Sequence, residues 1–188
     1  QITETADRNL WISYEDGKVG VYNPVQDEFY TLEEIQKKLG LPENISRVFQ
    51  GKDFQLLFST LDNELCAYDY LTGKVTCYPA DPSEGQVCDV YQKGDILYAI
   101  HVTGTIELID LSQERAILRN DHLKKACKAK RFMLFVDSDN EIWVYLDPES
   151  YGGVYRLNLR SGKWQQYDTC SPIPLSSSLI RGIEEDSN

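Results

Sequence analysis

The sequence lacks the features that mark several large classes of protein. Its 188 residues contain no apolar run near the roughly 20 residues that a membrane-spanning helix needs. There are only two histidines, and none of the five cysteines belongs to a CxxC pair. The cysteine spacings match no zinc ribbon or finger, and no glycine-rich phosphate loop is present. The sequence therefore predicts no metal site and no cofactor.

Basic residues are scarce relative to acidic ones. The chain has 19 Lys and Arg against 30 Asp and Glu, a formal net charge of -11, and a pI near 4.6. Nucleic-acid binding needs a basic face, so nucleic acid is excluded as a partner. A solvated surface that keeps the protein soluble explains the acidity better than an acidic functional patch does. With 41% hydrophobic and 11% aromatic residues, the composition is that of a folded chain.

The cysteines leave one pairing open. Cys66 and Cys77 flank a predicted turn at Leu71–Lys74 and could face each other across a hairpin. A disulfide would form there in an oxidising compartment. Burial of both as small apolar residues is the favoured alternative. Because the cysteine count is odd, at least one thiol stays free.

The clearest positive signal is an internal repeat. Three positions of one unit recur with spacings of 46, 41 and 45, then 46, 41 and 46, then 48, 40 and 49 residues. The three series are Trp11, Leu57, Tyr98 and Trp143; Tyr22, Tyr68, Ile109 and Tyr155; and Tyr30, Tyr78, Leu118 and Tyr167. Such periods indicate a repeat architecture with a unit of 40 to 50 residues.

Each unit has room for four short antiparallel strands. Turn residues such as Asp16-Gly17, Thr72-Gly73 and Ser161-Gly162 separate runs rich in β-forming residues. The predicted first strands are Ile2–Ala6, Ser46–Gln50, Gln86–Gln92 and Phe132–Val136; the second are Leu10–Tyr14, Gln55–Thr60, Ile96–Val102 and Ile142–Tyr145; the third are Val19–Asn23, Leu65–Tyr70, Ile106–Leu111 and Val154–Leu159. Four such strands per unit describe a β-propeller blade, which predicts blades at about 1–32, 46–80, 86–120 and 131–169.

Three segments depart from the repeat. Thr31 to Glu34 has the spacing of a capping box and Gly40 stands at a helix C-cap position, so Leu32–Leu39 is predicted to be a short helix between blades. Asp147–Gly153 is a longer connection. Leu179–Asp186 repeats the first-strand pattern, which predicts the start of a fifth blade at 179–188.

The fold class expected is therefore all-β, a partial propeller spanning 1–188. It would have four blades, the first strand of a fifth, and one helix between blades. We expect the natural protein to continue beyond this chain. A closed four-bladed propeller of the haemopexin kind ranks second, because it leaves the terminal strand without a role.

No residue pattern points to catalysis. His101 lies within a predicted strand and is expected to pack in the sheet, and His122 is in a polar connector and is expected to be exposed. The neighbouring carboxylates at Glu15-Asp16 and Glu184–Asp186 lie at turns and strand ends, where they do not aim at one substrate. No catalytic residue is predicted.

Most aromatic residues are expected to be structural. Trp11, Trp143, Tyr22 and Tyr155 recur with the unit, which favours packing between blades over sugar-stacking platforms. Tyr151 lies outside the repeat in the irregular connection. Tyr151 and Arg181 are the residues we predict to contact a ligand.

The repeat resembles a known family. Asn9-Leu10-Trp11-Ile12-Ser13, followed by Gly20-Val21-Tyr22-Asn23 and Phe29-Tyr30, is similar to the two-component regulator propeller repeat. Leu39-Gly40-Leu41-Pro42-Glu43-Asn44-Ile45 resembles the connector before a blade of that family, and Leu179–Asp186 its first strand. The similarity is weaker in the third unit, where Ile109 and Leu118 replace tyrosines.

The resemblance implies the periplasmic sensor region of a hybrid two-component histidine kinase of the Bacteroides type. It implies an oligosaccharide or other small-molecule ligand, and as partners the remaining propeller and kinase parts of the same polypeptide. It also allows a homodimer through the full-length protein. Two rivals remain: a protein-interaction propeller without a small ligand, and a fragment of a propeller carbohydrate-active enzyme.

Overall fold

The structure is a computed structural model. It describes residues 2–5, 7–14, 18–52, 54–78, 80–126, 131–146 and 152–186. Within these residues, no helix is long and apolar enough to cross a membrane.

The described strands form four antiparallel sheets of four strands each, and in every sheet the strands are neighbours in chain order. The first sheet contains β1 (Ile2–Glu4), β2 (Leu10–Ser13), β3 (Val19–Asn23) and β4 (Glu28–Thr31). The second contains β5 (Ile45–Gln50), β6 (Gln55–Thr60), β7 (Leu65–Asp69) and β8 (Lys74–Tyr78). The third contains β9 (Val87–Lys93), β10 (Ile96–His101), β11 (Ile106–Asp110) and β12 (Arg115–Asn120). The fourth contains β13 (Phe132–Val136), β14 (Ile142–Leu146), β15 (Val154–Asn158) and β16 (Lys163–Tyr167).

Four-stranded meanders of this kind are propeller blades, so the predicted fold class is confirmed. The predicted strands lie within one or two residues of the observed ones. Two short elements were not predicted: a 3-10 turn at Pro82–Glu84 and a helix, α2, at His122–Ala126. Both are too short to give a hydrophobic period that sequence reasoning could detect.

The helix between the first two sheets, α1 (Leu32–Leu39), has the predicted bounds and caps. Thr31 Oγ1 accepts a hydrogen bond from the Glu34 N–H, and the Glu34 carboxylate accepts one from the Thr31 N–H. Gly40 ends the helix with φ of 68°, a left-handed conformation that glycine adopts without a Cβ clash. Local sequence sets the two ends of the helix, and Ile35 packs it into the core of unit 1.

A fourth repeated position lies at the end of every third strand. An Asn or Asp there accepts hydrogen bonds from backbone N–H groups two or three residues later and closes the turn. The acceptors are Asn23, Asp69, Asp110 and Asn158. Four residues after each, the backbone has positive φ, at Asp27, Gly73, Glu114 and Gly162. Gly73 and Gly162 are the residues by which the sequence predicts two of these turns. The Asn and Asp acceptors were not predicted.

The chain divides into two compact units. Unit 1 is Gln1–Val87 with Ile109–Ala116, and unit 2 is Cys88–Leu108 with Ile117–Asn188. The core of unit 1 contains Trp11, Ile35 and Phe58, contributed by the first sheet, α1 and the second sheet. The core of unit 2 contains Tyr98 of the third sheet and Tyr155 of the fourth. In each unit, sheet faces pack on one another, as the repeat predicts.

Cys66 and Cys77 are joined by a disulfide, contrary to the favoured expectation of two buried thiols. They are directly opposite residues of β7 and β8, with Cα atoms 4.0 Å apart. The alternative considered from the sequence is therefore the one observed. Cys88 is a buried free thiol and Cys170 an exposed one, and Cys127 lies outside the described residues.

The segment predicted to begin a fifth blade forms no strand between 179 and 186. A strand is defined by its ladder of hydrogen bonds, and the described residues offer this segment no neighbouring strand. The segment therefore has the sequence pattern of a first strand but forms no β-strand in this structure.

Candidate interaction surfaces

Each sheet has two sides that the repeat distinguishes. Side chains of directly paired strand residues lie on the same side of a sheet, and neighbours along a strand lie on opposite sides. We call the side that carries Trp11, Leu57, Tyr98 or Trp143 the forward face, and the side that carries Tyr22, Tyr68, Ile109 or Tyr155 the backward face.

Burial at these repeated positions is uniform except at two residues. Trp11, Leu57 and Tyr98 on forward faces are at most 4% exposed, but Trp143 is only half-buried. Tyr68, Ile109 and Tyr155 on backward faces are at most 6% exposed, but Tyr22 is only half-buried. Core packing is thus confirmed for Trp11 and Tyr155. It was wrong for Trp143 and Tyr22, because each lies on an outward face of a terminal sheet.

The forward face of the fourth sheet is a half-exposed aromatic surface. Two rows of paired residues cross it: Phe135, Trp143, Arg156 and Gln165, and Met133, Tyr145, Val154 and Tyr167. The Trp143 indole N–H donates to Asp137 Oδ2 at 2.7 Å. The Trp143 and Tyr167 rings stack with centroids 5.9 Å apart, and the Arg156 guanidinium lies 5.2 Å from the Trp143 centroid. These contacts join Trp143 to Asp137, Tyr167 and Arg156.

A buried carboxylate anchors this surface. The Glu141 side chain is 9% exposed and forms an ion pair with Arg156, whose side chain is 34% exposed. Asn158 Nδ2 donates to the other Glu141 oxygen, and Arg156 Nη1 donates to the Tyr167 hydroxyl at 3.3 Å. The bond to Tyr167 and the charge of Glu141 raise the pKa of Arg156 above its usual value. Glu141 therefore holds Arg156 in place on this face.

The backward face of the first sheet is the second outward surface. Ile2, Tyr14 and Phe29 are 68%, 52% and 70% exposed. Tyr22 and Phe29 are in ring contact with centroids 4.7 Å apart, and the Tyr14 ring lies over Gly20. The Tyr22 hydroxyl donates to Asp27 at 2.8 Å, and this bond raises the pKa of Tyr22. Large apolar side chains grouped in this way usually mark a contact surface.

Polar cavities lie at the end of the fourth sheet where its two hairpin turns meet. One of about 400 Å³ is lined by Asp139, Asn140, Glu141, Asn158, Leu159 and Arg160. A second of about 310 Å³ shares Glu141 and Asn158 with it and adds Arg156, Lys163 and Trp164. Amide, carboxylate and guanidinium groups in such cavities can hydrogen-bond a ligand rich in hydroxyl groups.

The predicted ligand-contact residues are not tested by this arrangement. Tyr151 lies outside the described residues, as does most of the Asp147–Gly153 connection. Arg181 is exposed in a segment that belongs to no sheet, and it does not line the two cavities at the fourth sheet. Their role remains a prediction. Sequence reasoning missed Arg156, Glu141 and Asn158, whose grouping depends on pairing between strands.

The candidates weighed for catalysis have structural contacts. His101 is fully buried in the third sheet, where its Nε2 lies 3.0 Å from Glu107 Oε2. His122 is exposed, as expected, and its ring stacks on Trp164 with centroids 5.2 Å apart. Glu185 accepts hydrogen bonds from the backbone and side chain of Ser138. Glu15 and Asp16 lie outside the described residues.

Comparison with known proteins rests on structure. No protein-family description matches the sequence, and no curated protein matches it. All of the chain matches 24% of the extracellular domain of a putative hybrid two-component system from B. thetaiotaomicron, with a TM-score of 0.63 and 16% identity. The computationally designed Ika8 protein matches over 86% of this chain and 47% of its own, with TM-score 0.56 and 12% identity. The designed Ika4 protein matches over 87% and 86%, with TM-score 0.54 and 10% identity.

At identities of 10% to 16%, the comparisons show similarity of fold alone. The chain spans about a quarter of the length of the Bacteroides domain. The resemblance noted in the repeat is therefore confirmed at the level of the fold, because this chain folds like part of that extracellular domain.

Proposed function

We propose that this chain is an extracytoplasmic sensing module of a hybrid two-component system. It binds a ligand, with an oligosaccharide as the favoured class, and relays the change to a histidine kinase elsewhere in the same polypeptide. The observation that carries the proposal is the match of the whole chain to part of an extracellular domain of such a system. The module acts by binding and without turnover of the ligand.

The disulfide between Cys66 and Cys77 supports an extracytoplasmic location. Disulfides persist in oxidising environments such as the periplasm and are rare in the cytosol, and the Cys66–Cys77 pair is oxidised in this structure. In cells that express the natural gene, the pair should resist alkylation until a reductant is added. Alkylation of Cys66 and Cys77 themselves in the unreduced protein would contradict an extracytoplasmic location, whereas Cys88 and Cys170 are free thiols in either case.

The polar cavities of the fourth sheet support ligand binding. We expect calorimetric titration of the chain with a panel of oligosaccharides to identify a ligand, and mass spectrometry to recover that ligand intact. Arg160→Ala and Asn140→Ala should weaken its binding, because both side chains line the larger cavity. Leu71→Ser, at a 71% exposed position in the turn between β7 and β8, is the matched control.

The gene itself gives the most direct test. Its reading frame beyond Asn188 should continue through further blades to a membrane span and a histidine kinase. A different domain at that place would refute the sensor proposal. Cleavage of an oligosaccharide in the titration would instead favour a carbohydrate-active enzyme.

A second candidate is a protein-interaction module without a small ligand. The two outward apolar surfaces favour it, because large exposed apolar groups usually bind another protein surface. Absence of binding to every oligosaccharide, together with retained protein association, would select this candidate over the sensor.

A further inference from the structure

Three buried polar atoms in unit 1 make no hydrogen bond with the described residues. They are the indole Nε1 of Trp11, the side-chain oxygen Oδ1 of Asn9 and the hydroxyl oxygen of Tyr70. Trp11 and Asn9 are 1% and 7% exposed, and the Tyr70 hydroxyl is buried although that residue as a whole is half-buried. Folded proteins leave few buried polar groups unpaired, so these three atoms call for a partner.

The fold brings the three atoms together between the first and second sheets. The Thr5 N–H donates to the Asn9 carbonyl at 3.0 Å, and Thr3 is directly opposite Trp11 in the same register. Asn9 and Trp11, two residues apart, therefore share the forward face of the first sheet. Tyr70 directly follows β7 of the second sheet and packs against the core that contains Trp11.

The surroundings of the Tyr70 hydroxyl place it beside the first sheet. Burial raises the pKa of Tyr70 to about 12, and Thr5 and Trp11 act on that pKa in the opposite direction. Because such an effect needs polar atoms near the hydroxyl, the Tyr70 hydroxyl and the Trp11 indole are neighbours across the two sheets. The hydroxyl is protonated at neutral pH and can both donate and accept a hydrogen bond.

The fourth sheet satisfies the equivalent indole with a carboxylate. Trp143 occupies the repeat position of Trp11, and its N–H donates at 2.7 Å to Asp137, six residues earlier in the chain. The residue six positions before Trp11 is Thr5, whose hydroxyl donates to Asp7. The first sheet thus carries a threonine where the fourth carries the acceptor of the indole N–H.

The nearby carboxylate of Asp7 is already engaged by other donors. Its Oδ1 accepts from the Thr5 hydroxyl and from the Asn9 backbone N–H, and its Oδ2 accepts from Asn9 Nδ2 at 2.7 Å. These bonds use the donor groups of Asn9 and leave its Oδ1 as an acceptor. The Trp11 N–H is a donor alone. The group that joins them must therefore both accept and donate.

We propose that one water molecule binds between the first and second sheets and joins Trp11, Asn9 and Tyr70. Its oxygen accepts from the Trp11 indole N–H, one of its protons is donated to Asn9 Oδ1, and the Tyr70 hydroxyl makes the third bond. Two to four polar partners are what a water in a protein interior needs. The proposal goes beyond the sensing function and does not depend on it.

Such a water would make the packing of the two sheets specific. Trp11 and Asn9 belong to the first sheet and Tyr70 to the second, and most of the core between them is apolar. Apolar contact is non-directional, whereas three hydrogen bonds to one water favour a single alignment of the sheets.

A high-resolution crystal structure of this chain tests the site directly. We expect an ordered water whose oxygen lies about 2.7 to 3.2 Å from Trp11 Nε1, Asn9 Oδ1 and the Tyr70 hydroxyl. Three observations would overturn the proposal: a protein group bonded to Trp11 Nε1, electron density of a larger molecule at the site, or a site without density.

Urea unfolding at pH 7 tests the same site in solution. Tyr70→Phe and Asn9→Leu each remove one partner of the water, and each should lower the folding equilibrium constant about 5-fold. Because both act through one water, the double variant should lose clearly less than the product of the two single losses. The bond from Asn9 to Asp7 is lost in both Asn9 variants and cancels in this double-mutant cycle.

Tyr14→Phe is the matched control, because it removes a hydroxyl from a 52% exposed tyrosine of the same sheet. It should unfold like the parent, and its effect should multiply independently with that of Asn9→Leu. Circular dichroism checks the sheets of every variant. Independent effects of Tyr70→Phe and Asn9→Leu in folded variants would overturn the proposal.

Discussion

Reduction of the disulfide between Cys66 and Cys77 is expected to destabilise unit 1. The two cysteines are separated by 11 residues in sequence and pair directly across β7 and β8. In the chain-entropy account, opening a loop of this length costs about 3 kcal/mol, because the unfolded chain regains conformations that the cross-link had removed. The folded sheet loses no backbone hydrogen bond, so the effect falls on the unfolded state.

The assay is urea unfolding of the chain with and without a dithiol reductant. Mass spectrometry after alkylation should count two additional modified thiols in the reduced sample. The double variant Cys66→Ala, Cys77→Ala should unfold near the midpoint of the reduced parent, and its midpoint should not respond to the reductant. An unchanged midpoint in a parent whose Cys66 and Cys77 are both fully alkylated would refute the reasoning.

Three further perturbations test other parts of the structure. Burial raises the pKa of Tyr70 from 10.0 to about 12. The contribution of the protonated Tyr70 to stability is therefore present below pH 10 and is lost as the pH rises towards 12. Tyr70→Phe should remove up to roughly 2 kcal/mol of this alkaline destabilisation in urea unfolding. Arg156→Met should cost about 2 to 3 kcal/mol because buried Glu141 loses its ion-pair partner and keeps only the hydrogen bond from Asn158. Adding Glu141→Gln should recover much of that loss in a double-mutant cycle. Thr31→Ala should cost about 1 kcal/mol through loss of the capping box of α1, whereas Thr31→Ser should unfold thermally like the parent.

Much of the fold could be predicted because its determinants are local. The capping box at Thr31 and the glycine at Gly40 define where α1 begins and ends. Alternating apolar residues and turn residues similarly place the strands of each sheet. α2 escaped prediction because a five-residue helix contains barely more than one turn and shows no period.

The surface at the fourth sheet could not be predicted in the same way. Glu141 and Arg156 are 15 residues apart, and their contact depends on the register of β14 with β15. The disulfide likewise depends on Cys66 and Cys77 being directly opposite, where a shift of one residue would turn one of them to the other side of the sheet.

The sequence by itself determined the repeat, the four-stranded units and the turns, since each depends on residues near one another in the chain. Only the tertiary structure decided what covers each repeated residue. Trp11 and Trp143 occupy the same position of the unit, yet one is 1% exposed and the other half-buried. The difference arises because burial depends on whether a neighbouring sheet packs on that face, which no residue of the unit itself encodes.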